Sequence, residues 1–272
     1  VEGGKRLAIL ISPMLSCEDA YLLARLARQI DPKVVLGVGP VPRKGEEKVY
    51  PVGAKAGDKN AFVISAEKAP NARGVRRVLG AFGSAVLEFN DFLKALGQGS
   101  GRSDVGAVLV TGNYPSDWIT PEFESSLSGK FTVLIDTLHT SLVDSCDVLI
   151  PGATWAEKAG TFENWQNVLQ AFEQAIPVIE LAKTEGQIAL DLEAVVNHVP
   201  LEVRDLETVI VNTTPGQVAA GVTIAPPRAR AFNAADTRAE MVKQYPALAV
   251  FAEVRSPVAS SATRTDMQIV EL

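Results

Sequence analysis

Short apolar runs alternate along this chain with segments of helical period. Leu7-Ala-Ile-Leu-Ile11 is uninterruptedly apolar, the pattern of a strand buried on both faces. Ser16 follows, with Asp19 three residues on, an arrangement that starts a helix with a capping box. Apolar positions at Ala20, Leu23, Ala24 and Ala27 then keep a helical period, and Val34–Val38 is the next strand. Strand, helix and strand in so few residues predict a βαβ unit and hence a parallel sheet.

The pattern breaks over residues 39–60, which are rich in Pro, Gly and charge and predict a long loop, functional or interfacial in character. Ala61–Ser65 is a short strand candidate. Arg73–Phe82 and Ala85–Leu96 have helical patterning, and 97–104 is a Gly/Ser-rich connector. Three runs then repeat the α/β signal: Val105–Val110, Phe131–Ile135 and Asp147–Ile150, with a helix over Thr120–Leu127 and a short one at Val143-Asp144. The expected fold is a parallel, Rossmann-like α/β sheet with flanking helices, its strands near 7–11, 34–38, 61–65, 105–110, 131–136 and 147–150. One more helix is expected over Gln187–His198. After Pro200 the texture changes: a strand candidate at Thr208–Asn212, helical patterns at Ala234–Gln244 and Ala247–Val254, and a poorly ordered tail over Ser256–Asp266. The chain therefore divides into a module over 1–199 and an extension over 200–272.

Composition narrows the function classes. Net charge is −6 and charged residues are 21% of the chain. The basic groups Arg73–Arg77 and Arg228–Arg230 are too small for a phosphate-neutralising face, which argues against nucleic acid. No apolar run nears the ~20 residues of a membrane span. The N-terminus has no signal-peptide pattern, so a cytoplasmic chain is expected. Cys17 and Cys146 are far apart and read as reduced thiols. They cannot form a four-thiolate iron–sulfur cluster, and with only His139 and His198 no metal site is expected. Gly37-Val-Gly-Pro40 lacks the third glycine and the following helix of a dinucleotide fingerprint.

The informative segment is Asp136-Thr-Leu-His-Thr140, then Asp147-Val-Leu-Ile-Pro151, Glu157 and Gly160-Thr-Phe-Glu-Asn164. It resembles the signature of the molybdopterin oxidoreductase superfamily, nearest to the G-type large iron–sulfur subunit branch of the NADH-quinone oxidoreductases. The resemblance is specific over roughly 130–180 and looser over 1–130.

It implies a pterin-type cofactor, molybdopterin guanine dinucleotide, at the carboxyl edge of the sheet. The contacts would come from Asp136, Thr137, Thr140, Pro151, Glu157, Gly160, Thr161 and Asn164. Ligands bind at that edge in parallel α/β sheets because the loops there vary freely.

The chain departs from the family's cofactor-binding pattern. Where those members continue with Gly-Arg-Val-Gln, this one has Trp165-Gln-Asn-Val-Leu-Gln170, without the cation that would meet a phosphate. The cluster-binding Cys motif, the metal-ligating side chain and a C-terminal barrel are not apparent.

Three readings follow. The first is a non-catalytic domain of an NADH-quinone oxidoreductase-like or formate dehydrogenase-like complex, held at the cytoplasmic face by other subunits. The second is a pterin-binding lobe whose catalytic half lies elsewhere, and the third is a generic Rossmann-like binding module.

Overall fold

A computed structural model describes residues 5–83, 85–97, 103–179, 181–199 and 230–257, and the backbone alone of 207–214 and 217–223. Strand β1 (Arg6–Ile11) leads into α1 (Cys17–Ile30), whose first turn is closed by the expected capping box. The Ser16 hydroxyl accepts from the Asp19 amide, and the Asp19 side chain accepts from the Ser16 amide. Then follow β2 (Val35–Val38), β3 (Lys48–Tyr50), β4 (Phe62–Ile64), α2 (Ala72–Ala81), β5 (Val86–Leu87), α3 (Phe89–Ala95), β6 (Val105–Thr111) and α4 (Pro121–Leu127). Next are β7 (Phe131–Asp136), a 3₁₀ turn (Ser141–Asp144), β8 (Val148–Pro151), a second 3₁₀ turn (Trp155–Glu157), β9 (Gly160–Glu163), β10 (Leu169–Phe172) and α5 (Glu185–Val196). The chain continues through β11 (Glu207–Thr214), β12 (Gln217–Thr223), α6 (Ala234–Gln244) and a 3₁₀ helix (Pro246–Glu253).

Six strands form one parallel sheet in the order β5-β2-β1-β6-β7-β8. Counted along the chain this is 3-2-1-4-5-6, the doubly wound order, with its switch between β1 and β6. Successive residues of a strand point to opposite faces, and β1 shows the result. Leu7, Ile9 and Ile11 join a core with α1, α2, α5 and α6, whereas Ala8 and Leu10 join a second core with α3 and α4.

Two expectations are corrected. The run at 61–65 does form a strand, β4, but it pairs antiparallel with β3, outside the main sheet. The sixth parallel strand is β5, at the head of the segment expected to be wholly helical over Ala85–Leu96. It has only two residues, too few to show a period of two, and Leu36 and Gly37 of β2 recruit it. The expected boundary at residue 200 lies outside the described residues, as does the tail beyond Pro257.

The last helix closes over the first. Met241, Leu248 and Phe251 enter the core that holds α1. Arg25 of α1 forms ion pairs with Glu193 of α5 and Glu240 of α6, and the Tyr21 hydroxyl lies 2.9 Å from Glu240 Oε1. Burial opposes ionisation of Glu240, but hydrogen bonds from Arg25 and Tyr21 outweigh it and hold the carboxyl below its ordinary range. A depressed folded pKa adds stability above the unfolded value of about 4.3 and loses it as pH falls. Glu240→Gln should therefore melt below the wild type at neutral pH, and the gap should close on acidification. A gap that stays constant with pH would show that Glu240 gains nothing from its charge.

Candidate functional site

The carboxyl edge of a doubly wound sheet opens at its switch point. Here the two strand ends are bridged by a side chain. The Ser12 amide, just past β1, donates to Thr111 Oγ1 at the end of β6 (2.8 Å), and that hydroxyl donates to the Leu10 carbonyl (3.0 Å). Above it Tyr114 is buried, its hydroxyl donating to the Pro40 carbonyl (2.8 Å) and its ring stacked 4.6 Å from Trp118. Burial pushes the Tyr114 phenol well up from its usual value, so it stays protonated.

Asp136 ends β7 at the same edge. Its Oδ1 accepts from the amides of Asn113 (2.9 Å), Thr137 (2.7 Å) and Leu138 (3.3 Å), and its Oδ2 from Trp118 Nε1 (3.2 Å). A carboxylate with four donors has little capacity left for a ligand. Pro151 pairs with Asp136 in register, and the Gly152 amide donates to the Asp136 carbonyl (2.9 Å). Thr137 is half-buried beside them. Among the described residues of the expected set, Thr140 alone has a buried side-chain oxygen without a partner.

The other expected residues serve local structure. Glu157 closes a capping box on Thr154 and accepts from the Ile179 amide (3.0 Å). Burial opposes its charge, but these bonds and nearby Lys158 hold its carboxyl below the usual range. Gly160 packs β9 so tightly on the start of α1 that a Cβ there would lie 2.4 Å from Ser16 Cβ. Thr161 donates through both its amide and its hydroxyl to Glu18, at 2.7 Å each. Asn164 Oδ1 accepts from the amides of Gln166 (2.9 Å) and Val168 (3.0 Å) and so shapes the β9–β10 turn. In that turn Asn167 has φ +62°, a left-handed conformation suited to glycine.

What links these residues is a buried polar network that sequence reasoning missed. Asn113 Nδ2 donates to the Ala153 carbonyl (2.7 Å) and to Glu185 Oε1 (3.0 Å). Glu185 pairs with Lys158, and Lys158 lies 3.1 Å from Asp19. Asp19 also accepts from the Gly186 amide (2.8 Å) at the start of α5. Beside it Glu18 pairs with Arg238 of α6 (2.7 Å). Lys158 is 1% exposed, and Asp19, Glu18 and Glu185 are equally buried. Three carboxylates face two cations here, and burial pushes both Glu18 and Glu185 above the ordinary carboxylate range. Burial also disfavours the Lys158 ammonium, but Asp19 and Glu185 more than compensate and keep it charged. The one sequence signal was the capping box, which located Asp19 at a helix start without showing that it was buried.

A pterin dinucleotide would need cations on its diphosphate and free donors on its rings. Here Lys158, Arg238 and Arg77 are each committed to carboxylates, the last to Glu163 at 2.6 Å. One free hydroxyl, that of Thr140, cannot replace them, so the residues present do not fit that cofactor. Among the described residues no group of three His, Cys, Asp or Glu side chains could hold a metal ion, and no helix is long and apolar enough to cross a membrane.

Residues 76–195 match the family described as Molybdopterin oxidoreductase. Two curated relatives are similar, the G-type subunits of the NADH-quinone oxidoreductases of Mycobacterium bovis and Mycobacterium tuberculosis. Each is 31% identical over 74 residues, which is 26% of this chain and 9% of the relative. The match thus spans under a tenth of those proteins.

Proposed function

Since residues 76–195 form a molybdopterin oxidoreductase-family domain, we propose that the chain acts as a non-catalytic domain of a redox complex resembling NADH-quinone oxidoreductase. In this reading it contributes to assembly by position and not by chemistry of its own. One observation carries it: the polar groups of the family segment are spent inside the protein, with Asp136 taking four donors and Thr161 bound to Glu18. The similarity to the two mycobacterial subunits supports partners drawn from the other subunits of such a complex. Residues 1–199 would form the family module and 200–272 an extension whose α6 clasps α1. The chain would sit at the cytoplasmic face of the membrane through those partners.

The test is affinity purification of the intact, tagged chain from its host, with elemental analysis of the eluate. Partner subunits should accompany it in stoichiometric amounts. The chain alone should hold no molybdenum or tungsten and should not oxidise NADH. Calorimetry with guanosine diphosphate should give no saturable heat. A metal bound one-to-one, or tight nucleotide binding weakened by Asp136→Ala and Asn164→Ala but not by His198→Ala, would favour the pterin-lobe reading instead.

A further inference from the structure

Strands β3 and β4 form a two-stranded ribbon that pairs with no other strand among the described residues. Such a ribbon is marginal in water without a surface to cover one face. Opposed residues of an antiparallel pair share a face. Val49 and Val63 therefore lie on one side, and Tyr50, Phe62, Ile64 and Lys48 on the other. On that second side Tyr50 and Phe62 stack at 5.3 Å, Phe62 remains 59% exposed, and Val52 beyond the strand is 90% exposed. An aromatic pair that stays this open has the character of an interface anchor.

The molecule has a second apolar surface, at the far edge of the sheet. The segment 175–183 is tied along the exit of β8. Ala175 donates to the Ala156 carbonyl (2.9 Å), Ile179 to Glu157 (3.0 Å), and Ala153 to the Lys183 carbonyl (3.0 Å). On and beside this segment Trp155, Ile176, Ile179 and Leu181 are exposed, and Val148 and Leu149 are exposed on the two opposite faces of the edge strand β8. Four exposed large apolar side chains on one short stretch exceed the scattered singles that need no explanation.

The two surfaces are opposite in charge. Residues 43–68 hold six basic and four acidic residues, net +2 in a chain of net −6. Around the flank, residues 144–183 contain two basic residues, the buried Lys158 and Lys183, which pairs with Asp191, while Asp144, Asp147 and Glu173 are exposed. A basic aromatic ribbon and an acid-rimmed apolar flank are thus complementary in both polarity and sign.

We propose that the chain pairs with a second copy of itself, the β3–β4 ribbon of each lying on the β8 flank of the other. Such reciprocal contacts close into a twofold dimer and leave no open end.

Sedimentation velocity of the intact chain tests this. The wild type should shift from monomer to dimer across micromolar concentrations, and added salt should move the transition upward. Phe62→Asp on the ribbon and Leu181→Asp on the flank should each weaken the dimer by about tenfold or more. Both side chains are exposed, so circular dichroism should show the folded body unchanged. Mixing the two variants decides the geometry. A mixed pair keeps one intact ribbon–flank contact, so the mixture should associate more tightly than either variant alone. A wild type that stays monomeric overturns the proposal, and so does a mixture no tighter than its components. Neither result bears on the assembly role above, which is read from co-purifying subunits.

Discussion

Replacing Lys158 with alanine should destabilise the protein by ~3–5 kcal/mol, on the order of 10 °C in melting temperature. The ammonium is fully buried between Asp19 and Glu185. Its removal leaves two carboxylates facing each other without a counter-ion and away from water. Burial already pushes Glu185 above its ordinary range with the lysine present, so the loss should drive a further proton onto the site. Because the folded pKa of Lys158 is raised, its stabilisation is present at neutral pH and is lost only on strong alkalinisation. The diagnostic variant is the triple change Lys158→Met, Asp19→Asn, Glu185→Gln. It keeps the volume and removes all three charges. Urea denaturation should show the triple variant recovering most of the loss, because an uncharged core has little desolvation penalty. A Lys158→Ala protein as stable as the wild type would mean that the network contributes nothing to the fold.

Gly112→Ala should cost nearly as much, roughly 3–4 kcal/mol. Gly112 follows β6, and a Cβ there would lie 1.9 Å from Asp136 Oδ2 and 2.0 Å from its Cγ. The carboxylate would have to leave, and with it the acceptor for three amides and the Trp118 indole. Hydrogen bonds to a charged group are worth ~1.5–3 kcal/mol each, so even partial loss is expensive. Gly80 in α2 is the control. No atom lies within 4 Å of a Cβ placed there, and Gly80→Ala should stabilise the helix by ~0.5–1 kcal/mol. Parallel thermal melts of the two variants should move in opposite directions. If both fell alike, the clash with Asp136 would not be the cause.

The parts that could be read in the sequence were those whose signal is local. β1, β6 and β7 are apolar runs because both faces of the sheet are covered there, β8 is an apolar run although it is an exposed edge strand, and the start of α1 is written in Ser16 and Asp19. β5 could not be read, since Val86-Leu87 is a strand only through its pairing with β2. The 61–65 run has the same local pattern as a sheet strand, and only tertiary context sends it to β3.

The candidate site divides in the same way. Order and spacing picked out Asp136, Pro151, Gly160, Thr161 and Asn164 as a set. They could not tell that Asp136 binds backbone and indole donors, or that Thr161 binds Glu18, 143 residues away. Lys158, Glu18, Glu185 and Arg238 have the composition of a solvated surface. Their burial follows from partners brought together by the topology, which no window of sequence contains.

The clasp between α6 and α1 also sets an order in time. Glu18 is made early, but its cation, Arg238, emerges 220 residues later, on the order of ten seconds or more of synthesis. Until then the Glu18 carboxylate of the first βα unit lacks its counter-ion, and the face of α1 that carries Tyr21 and Arg25 lacks Glu240 and Met241 to cover it. The contacts that cover this face of α1 can therefore form only once α6 has been made. A ribosome-bound chain stalled before residue 230 should be more protease-sensitive at α1 than the full chain, although α1 itself is complete by residue 30.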